Sequence, residues 1–195
     1  MDGVTGLDQI QFRRASSLDS EPIAHLHADS WRRHYRGAYS DSFLDGDVAR
    51  DRLAVWTGRL AAPDPGSATT VAERHGALVG FAHTRFEDDA TWGALLDNLH
   101  VAHGHQRGGV GSQLLAVTAA ALVDARRGSG LHLWVLEQNR AAQAFYAALG
   151  GRYVELAVVE PPGGDPRRLH GTPSKLRYSW TPAAVVTLAR RSWVP

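Results

Sequence analysis

The sequence predicts one α/β domain in which a mixed β-sheet carries helices on both faces. The chain has 195 residues, a length that favours a single domain. Segments with strand periodicity and segments with helical periodicity follow one another along most of the chain. Two of the strand segments, 95–101 and 131–136, are apolar on both faces. Strands of that kind lie in the middle of a sheet that is covered on both sides.

The N-terminal part is helical after one short strand at 10–14. Asp19 or Ser20 can cap a helix that has Pro22 just inside its first turn. Apolar spacing continues this helix over 23–35 and predicts a second one over 41–60. A loop with two prolines and a glycine follows at 61–66.

The middle of the chain consists mainly of strands. His75 and Gly76 separate two alternating segments, 69–73 and 77–85, and indicate a hairpin. An acidic loop at 87–91 then precedes the central strand 95–101.

The C-terminal part alternates helices and strands. An apolar stripe predicts a helix over 111–126, and Gly150 with Gly151 ends another that begins at Asn139. The sequence predicts no definite element in the tail after 180, although residues 183–189 could form a short helix. The strands predicted here span 131–136, 153–159 and 174–180.

Composition excludes several classes of function. With 21 basic and 20 acidic residues, the chain lacks the basic excess of a nucleic-acid binder. It has no cysteine, which rules out disulfides, thiolate metal sites and cysteine nucleophiles. No Gly-Lys-Ser/Thr triplet accompanies its one lysine, Lys175, so a P-loop is absent. We see neither a signal peptide nor an apolar run of membrane-spanning length, and we expect a soluble cytoplasmic protein without a membrane partner.

A glycine-rich turn at 106–111 joins the strand 95–101 to the next helix. Free backbone N–H groups and the helix dipole, roughly half a positive charge, favour a pyrophosphate at such a junction. Taken alone, the turn could also be a plain tight helix start. A dinucleotide-binding fingerprint fits poorly, because the glycine spacing differs and the turn lies in mid-chain.

Two motifs on these elements resemble the GNAT superfamily of N-acetyltransferases, of bacterial type. Residues 106–111 match its Q/R-x-x-G-x-G/A signature, and 139–150 match its N-x-x-A-x-x-F-Y-x-x-x-G helix. Residues 30–44 also resemble a bacterial subgroup with W-x-x-x-Y-x-G near the N-terminus. The resemblance implies a mostly antiparallel central sheet with one splayed strand pair. It places a single domain at 10–180, with terminal extensions at 1–9 and 181–195.

The resemblance also implies where acetyl-CoA, the co-substrate, would bind. Backbone N–H groups of 107–112 would hold its pyrophosphate, and the backbone of Val101 would bind the pantetheine arm and polarise the thioester carbonyl. Asn139 is a pantetheine contact, an N-cap, or both. The full predicted set is Leu99, Val101, Gln106, Arg107, Gly108, Gly109, Val110, Gly111, Ser112, Asn139, Ala142 and Tyr146.

Tyr146 is the predicted general acid for the departing thiolate, with core packing as its alternative. The general base is less well defined by the sequence. Many relatives carry a glutamate on the strand before the loop, and Leu95 stands at that place here. Asp97, which we place on the same strand face, could substitute; Glu87, Asp88 or a chain of water molecules are alternatives.

Aromatic residues of the first two helices should wall the cleft for the acceptor, although core packing also explains them. Trp31, Tyr35 and Tyr39 are the candidates. The histidines at 100, 103 and 105 have no acidic partner that completes a familiar ligand set, so we expect no metal.

These features predict direct transfer of an acetyl group from acetyl-CoA to a primary amine, either a small molecule or a protein N-terminus. Without cysteine, a thioester acyl-enzyme cannot form. The alternatives are a non-catalytic acyl-CoA sensor and a transferase for another acyl-CoA. The final strands and the tail would suit a homodimer.

Overall fold

The computed structural model describes residues 10–125 and 128–191. The described residues form seven strands and four α-helices in the predicted order, followed by a fifth, short α-helix. The strands are β1 (Gln11–Arg14), β2 (Ser67–Arg74), β3 (Ala77–Asp89), β4 (Gly93–Val101), β5 (Leu131–Leu136), β6 (Arg152–Val158) and β7 (Ser174–Trp180). The helices are α1 (Ser20–His34), α2 (Val48–Ala61), α3 (Val110–Asp124), α4 (Arg140–Ala148) and α5 (Pro182–Ala189). Arg126, the predicted end of α3, lies outside the described residues.

The strands form one sheet in the order β1-β2-β3-β4-β5-β7-β6. Neighbouring strands are antiparallel except for β4 and β5, which are parallel. This confirms the mixed, mostly antiparallel sheet. The β4–β5 ladder comprises the pairs Ala94–Leu131 and Leu95–His132. Beyond these two pairs, β4 and β5 form no pairs with each other in the described part of the chain. The sheet is therefore split at its centre.

Helices cover both faces of the sheet, as predicted. Phe81 and Ala82 are neighbours on β3 and therefore point to opposite faces. Phe81 packs with Trp56 in a core on the side of α1 and α2. Ala82 belongs to the main core, which includes Leu114 of α3 and Tyr146 of α4.

The predicted acidic loop at 87–91 is partly wrong, because β3 continues to Asp89. Asp88 is ion-paired with Arg85, and Asp89 accepts a hydrogen bond from Arg177 at 3.0 Å. These cations neutralise carboxylates that would otherwise disfavour a strand. Negative charge alone is therefore a poor signal for a loop here.

The tail after 180 is part of the packed structure. Val185 and Leu188 of α5 are 2% and 3% exposed and lie in the main core. The compact unit thus continues past the predicted boundary at 180, as far as Ala189. Residues 1–9 and 192–195 of the predicted extensions lie outside the described residues. No helix of the described chain is both long and apolar enough to cross a membrane.

Two glycines allow β4 and β5 to meet at their first residues. A Cβ on Gly130 would lie 2.9 Å from the carbonyl oxygens of both Trp92 and Trp180. Gly93 has a φ of +83°, and a Cβ there would strike the backbone of Gly130. Ala94 N donates to Gly130 O at 3.0 Å at the same point. The short parallel ladder therefore depends on backbone contacts that any side chain would push apart.

We expect Gly130→Ala to lower the free energy of unfolding by about 1–3 kcal/mol, as overpacking does elsewhere. The matched control is Gly58→Ala in α2, where a Cβ would meet nothing within 4 Å. That change should be neutral or stabilise by about 0.5–1 kcal/mol. Urea unfolding of both variants measures the difference, and equal midpoints would contradict the packing described.

Candidate active site

A cavity of about 610 Å³ occupies the split between β4 and β5. Its wall also includes the loop after β4, the first turn of α3, and residues of α1 and α4. Most of the predicted site residues meet there although they come from five elements. Those that line the cavity are Tyr35, Asp97, Leu99, Val101, Gln106, Arg107, Gly108, Gly109, Gly111, Ser112, Asn139, Ala142 and Tyr146.

Three predicted residues do not reach the cavity. Val110 is 3% exposed and packs in the main core. Trp31 and Tyr39 belong to a buried cluster with Phe43, behind the wall. Their rings lie 5.2 Å and 5.0 Å from that of Tyr35, which is the member of this aromatic group on the cavity surface. Trp31 and Tyr39 therefore support Tyr35 and do not form the wall themselves.

The loop after β4 turns sharply into α3. Arg107 has a φ of +63° and Gly109 a φ of +84°, both in the left-handed region. Helix α3 begins at Val110, so the N–H groups of its first turn have no partner within the helix. These groups and the helix dipole make the turn a site for an anion.

The glycines of this loop serve different purposes. A Cβ on Gly111 would lie 3.3 Å from the ring of Phe145 and 3.6 Å from Val101. Gly111 thus lets α3 pack closely against α4 and β4. A Cβ on Gly108 would meet only the carbonyl oxygen of His105, at 3.6 Å. Gly108 is the position that keeps the surface of the loop open.

A β-bulge at Asp97 changes which residues of β4 face which side. Leu96 pairs with Thr84 and Asn98 pairs with His83, so Asp97 has no opposite residue on β3. Leu95 and Asn98 pair with Arg85 and His83, so both lie on the face of β3 that meets α2, and Asp97 reaches Arg59 of α2 on this same side. The carboxylate of Asp97 lies 3.0 Å from Arg59 and accepts a hydrogen bond from Asn98 Nδ2 at 2.7 Å.

Sequence reasoning missed three polar residues on the α1 side of the cavity. Ser30, His34 and His100 line it together with Tyr35. Ser30 Oγ lies 2.8 Å from His100 Nδ1. The alternation of β4 could have indicated that His100 points away from Leu99, but only the bulge and the packing of α1 bring it to Ser30. His103 and His105 lie in the loop, and the described residues contain no group of three or more side chains that could hold a metal.

Tyr146, Tyr35 and His100 on the cavity wall are neutral at pH 7. Burial, and then the nearby Tyr35, raise the pKa of Tyr146. Burial and then Asp97 raise the pKa of Tyr35 to about 12. Burial, and then His34, lower the pKa of His100 to about 3. Tyr146 consequently keeps a proton that it can donate, and His100 keeps an unprotonated ring nitrogen.

Hydrogen bonds fix the start of α4 to the end of β5. Asn139 Oδ1 accepts from Ala142 N at 3.1 Å, which confirms its interpretation as an N-cap. Gln143 Nε2 donates to the carbonyl oxygens of Leu136 and Glu137 at 3.2 Å and 2.6 Å. Tyr146 lies one turn further and is therefore held rigidly against the cavity.

The loop, the split sheet and the tyrosine helix occur together in one family, and the chain matches the acetyltransferase (GNAT) family over residues 25–150. The chain belongs to this family. Mycothiol acetyltransferase of Actinosynnema mirum is 35% identical over 116 residues, which are 59% of this GNAT chain and 36% of that protein. The chain thus spans about a third of the length of that relative.

Solved structures agree in fold. PaiA N-acetyltransferase of Thermoplasma acidophilum, in complex with coenzyme A, aligns with a TM-score of 0.64 and 18% identity, covering 88% of this chain and 99% of that one. YncA of Salmonella typhimurium, solved with its cofactor acetyl-CoA, aligns with a TM-score of 0.58 and 20% identity, covering 95% and 97%. At such identities these structures establish the GNAT fold of the chain.

The buried histidine next to the bulge makes stability depend on pH. His83 is 5% exposed, and its Nδ1 lies 2.8 Å from Thr69 Oγ1. Burial, and then Arg59, lower its pKa to about 4. The unfolded chain, with a histidine pKa of about 6.5, takes up the proton first as the pH falls. The stability due to neutral His83 is complete above about pH 6.5 and is lost on the way down to pH 4.

We expect His83→Gln to flatten the pH dependence of unfolding between pH 6.5 and 4 by about 1 kcal/mol per pH unit. Urea unfolding at pH 7.5, 6.0 and 5.0 measures this slope for both proteins. The exposed His75 does not sit in a core, so His75→Gln provides the control and should leave the slope near that of the unaltered chain. Parallel curves for His83→Gln and the unaltered chain would contradict the effect.

Proposed function

We propose that the chain transfers an acetyl group from acetyl-CoA directly to a primary amine within a ternary complex. The observation that carries this proposal is the cavity through the split between β4 and β5. It connects the anion-binding turn of α3 on one face with the polar residues of α1 on the other. A donor and an acceptor that enter from these two sides would meet at the split.

The edge of β4 supports donor binding. Ala102 N donates to Val79 O at 2.9 Å, so the alternation of an antiparallel ladder turns the N–H groups of Leu99 and Val101 away from β3. They face the gap that β5 leaves. The amides of an extended pantetheine arm can pair with such an edge as an added strand does. The first turn of α3 and Arg107 would then hold the pyrophosphate, and the Val101 N–H would polarise the thioester carbonyl.

The cavity also has the groups that the transfer needs. The thioester supplies an activated acetyl carbon; the amine nitrogen bonds to it, and the carbon–sulfur bond breaks. Tyr146 donates its phenolic proton to the leaving thiolate and regains one from solvent. Asp97, the only carboxylate among the described cavity residues, takes the surplus proton of the amine, directly or through a water molecule. The products are the N-acetyl amine and free coenzyme A.

A non-catalytic acyl-CoA sensor is the second candidate, favoured by Leu95 at the place where many relatives carry a glutamate. Release of free thiol from acetyl-CoA separates the two functions. The panel should contain methylamine, 2-phenylethylamine, spermidine and a tetrapeptide with a free N-terminus, with mass spectrometry of the products. Thiol release matched by an acetylated amine supports the transferase; coenzyme A binding without turnover on any amine supports the sensor.

We also propose a homodimer formed through the β6 edge of the sheet. Tyr153, Leu156 and Val158 of this strand are 55%, 54% and 57% exposed. A second copy would cover this apolar surface and pair with the free strand edge.

We expect Gly108→Leu to weaken coenzyme A binding at least tenfold, because the side chain would stand where the pyrophosphate approaches the loop. The matched control is Gly104→Leu in the preceding turn, where a Cβ meets nothing within 4 Å. Titration calorimetry with coenzyme A measures both. Unchanged affinity in Gly108→Leu would show that the loop does not bind the donor.

We expect Tyr146→Phe to lower kcat by about 100-fold, the lower range for general acid catalysis, while the Kd for acetyl-CoA changes less than threefold. Tyr153 provides the control, since Tyr153→Phe removes a hydroxyl outside the cavity and keeps the aromatic ring that the proposed dimer would cover. Stopped-time thiol assays at saturating amine measure kcat. A rate like that of the unaltered chain would remove Tyr146 from the mechanism.

A further inference from the structure

The two faces of β4 separate the donor side of the cavity from the acceptor side. Leu99 and Val101 pack against the main core beside α3, whose first turn is the proposed pyrophosphate site. His100 pairs with Phe81, which faces α1 and α2, so His100 points to that opposite side. The α1 side is therefore where an amine must approach, and the polar atoms there decide how it is held.

Ser30 and His100 form a pair on this acceptor side. Ser30 Oγ lies 2.8 Å from His100 Nδ1, and both residues line the cavity. The pair is supported from behind by His27, whose ring centroid is 4.5 Å from that of His100. His27 is itself fixed, because its Nδ1 accepts a hydrogen bond from Trp56 Nε1 at 3.0 Å. His27 therefore restricts rotation of the His100 imidazole, which orients Ser30.

The oxygen of Ser30 keeps an acceptor site whichever nitrogen of His100 carries the proton. If His100 Nδ1 is unprotonated, the Ser30 hydroxyl donates to it and retains both lone pairs. If Nδ1 carries the proton, Ser30 accepts one hydrogen bond and retains one lone pair. In both tautomers a lone pair of Ser30 Oγ remains available for a ligand N–H.

We propose that Ser30 is an acceptor-binding residue: its oxygen, positioned by His100, accepts an N–H bond of the attacking primary amine. This directs the nitrogen lone pair toward the split between β4 and β5, where the thioester would lie. His100 acts through Ser30 and is a positioning residue. The inference rests on the proposed transferase function and adds to it a neutral amine as the form that is bound.

The test uses the panel amine that the unaltered chain acetylates fastest. Ser30→Ala should lower kcat/KM for that amine about tenfold, the upper range for one lost hydrogen bond, with the main effect on its KM. The Kd for coenzyme A should stay within twofold. Ser30→Thr keeps the hydroxyl and should retain at least a third of the activity. Ser42→Ala, on an exposed serine, is the matched control and should behave like the unaltered chain.

A double-mutant cycle with His100→Leu tests the positioning role. If His100 acts through Ser30, adding Ser30→Ala to His100→Leu should cost less than threefold, well below its effect alone. Additive losses would refute this role. An unchanged amine KM in Ser30→Ala, or a parallel loss of coenzyme A affinity, would refute the assignment of Ser30. The unaltered chain is assayed before any variant. If it acetylates no amine on the panel, the transferase proposal itself fails.

Discussion

The early end of the β4–β5 ladder is the constraint on which the rest of the structure depends. Gly93 and Gly130 let the two strands start in backbone contact, yet the ladder consists of two residue pairs. Backbone N–H and C=O groups beyond it point into the cavity, and inside a protein such groups need partners. The sheet thus exposes an edge at its own centre, where an extended ligand can complete the pairing. A fully paired sheet of the same sequence order would be more regular and would have no site.

The element order could be predicted from periodicity because most helices and strands of this chain have clear apolar patterns and glycine or proline boundaries. The β-bulge at Asp97 could not be predicted from periodicity. Both faces of β4 are apolar, so an inserted residue leaves no break in the alternation, and its position depends on how β3 pairs with β4. The prediction that Trp31, Tyr35 and Tyr39 all line the cleft is partly wrong for a related reason. The sequence pattern does not distinguish these three aromatic residues. Packing around Phe43 determines that Tyr35 alone reaches the cavity surface.

Charge is distributed along the cavity in a way that fits two different reactants. Arg107 and the first turn of α3 lie at one end, suited to an anion. At the other end Asp97 carries the charge on the wall, and Arg59 at 3.0 Å balances it. The groups between them, Tyr146, Tyr35 and His100, are held neutral by burial. A nearly uncharged middle section favours a neutral nucleophile, because an ammonium ion would lose its hydration there without gaining a full counter-charge.

In the proposed function, donor and acceptor recognition therefore lie on separable parts of the fold. The donor side consists of the β4 edge and the first turn of α3. The acceptor side depends on α1, whose last turn and C-cap supply Ser30, His34 and Tyr35. The position of α1 is set by the core that it shares with α2, including Trp56, and by the buried cluster around Phe43. Substitutions within these two helices can alter which amine is held without touching the residues that bind the donor. The proposed function thus assigns acceptor specificity to the segment 20–61 and the chemistry of transfer to the split in the sheet.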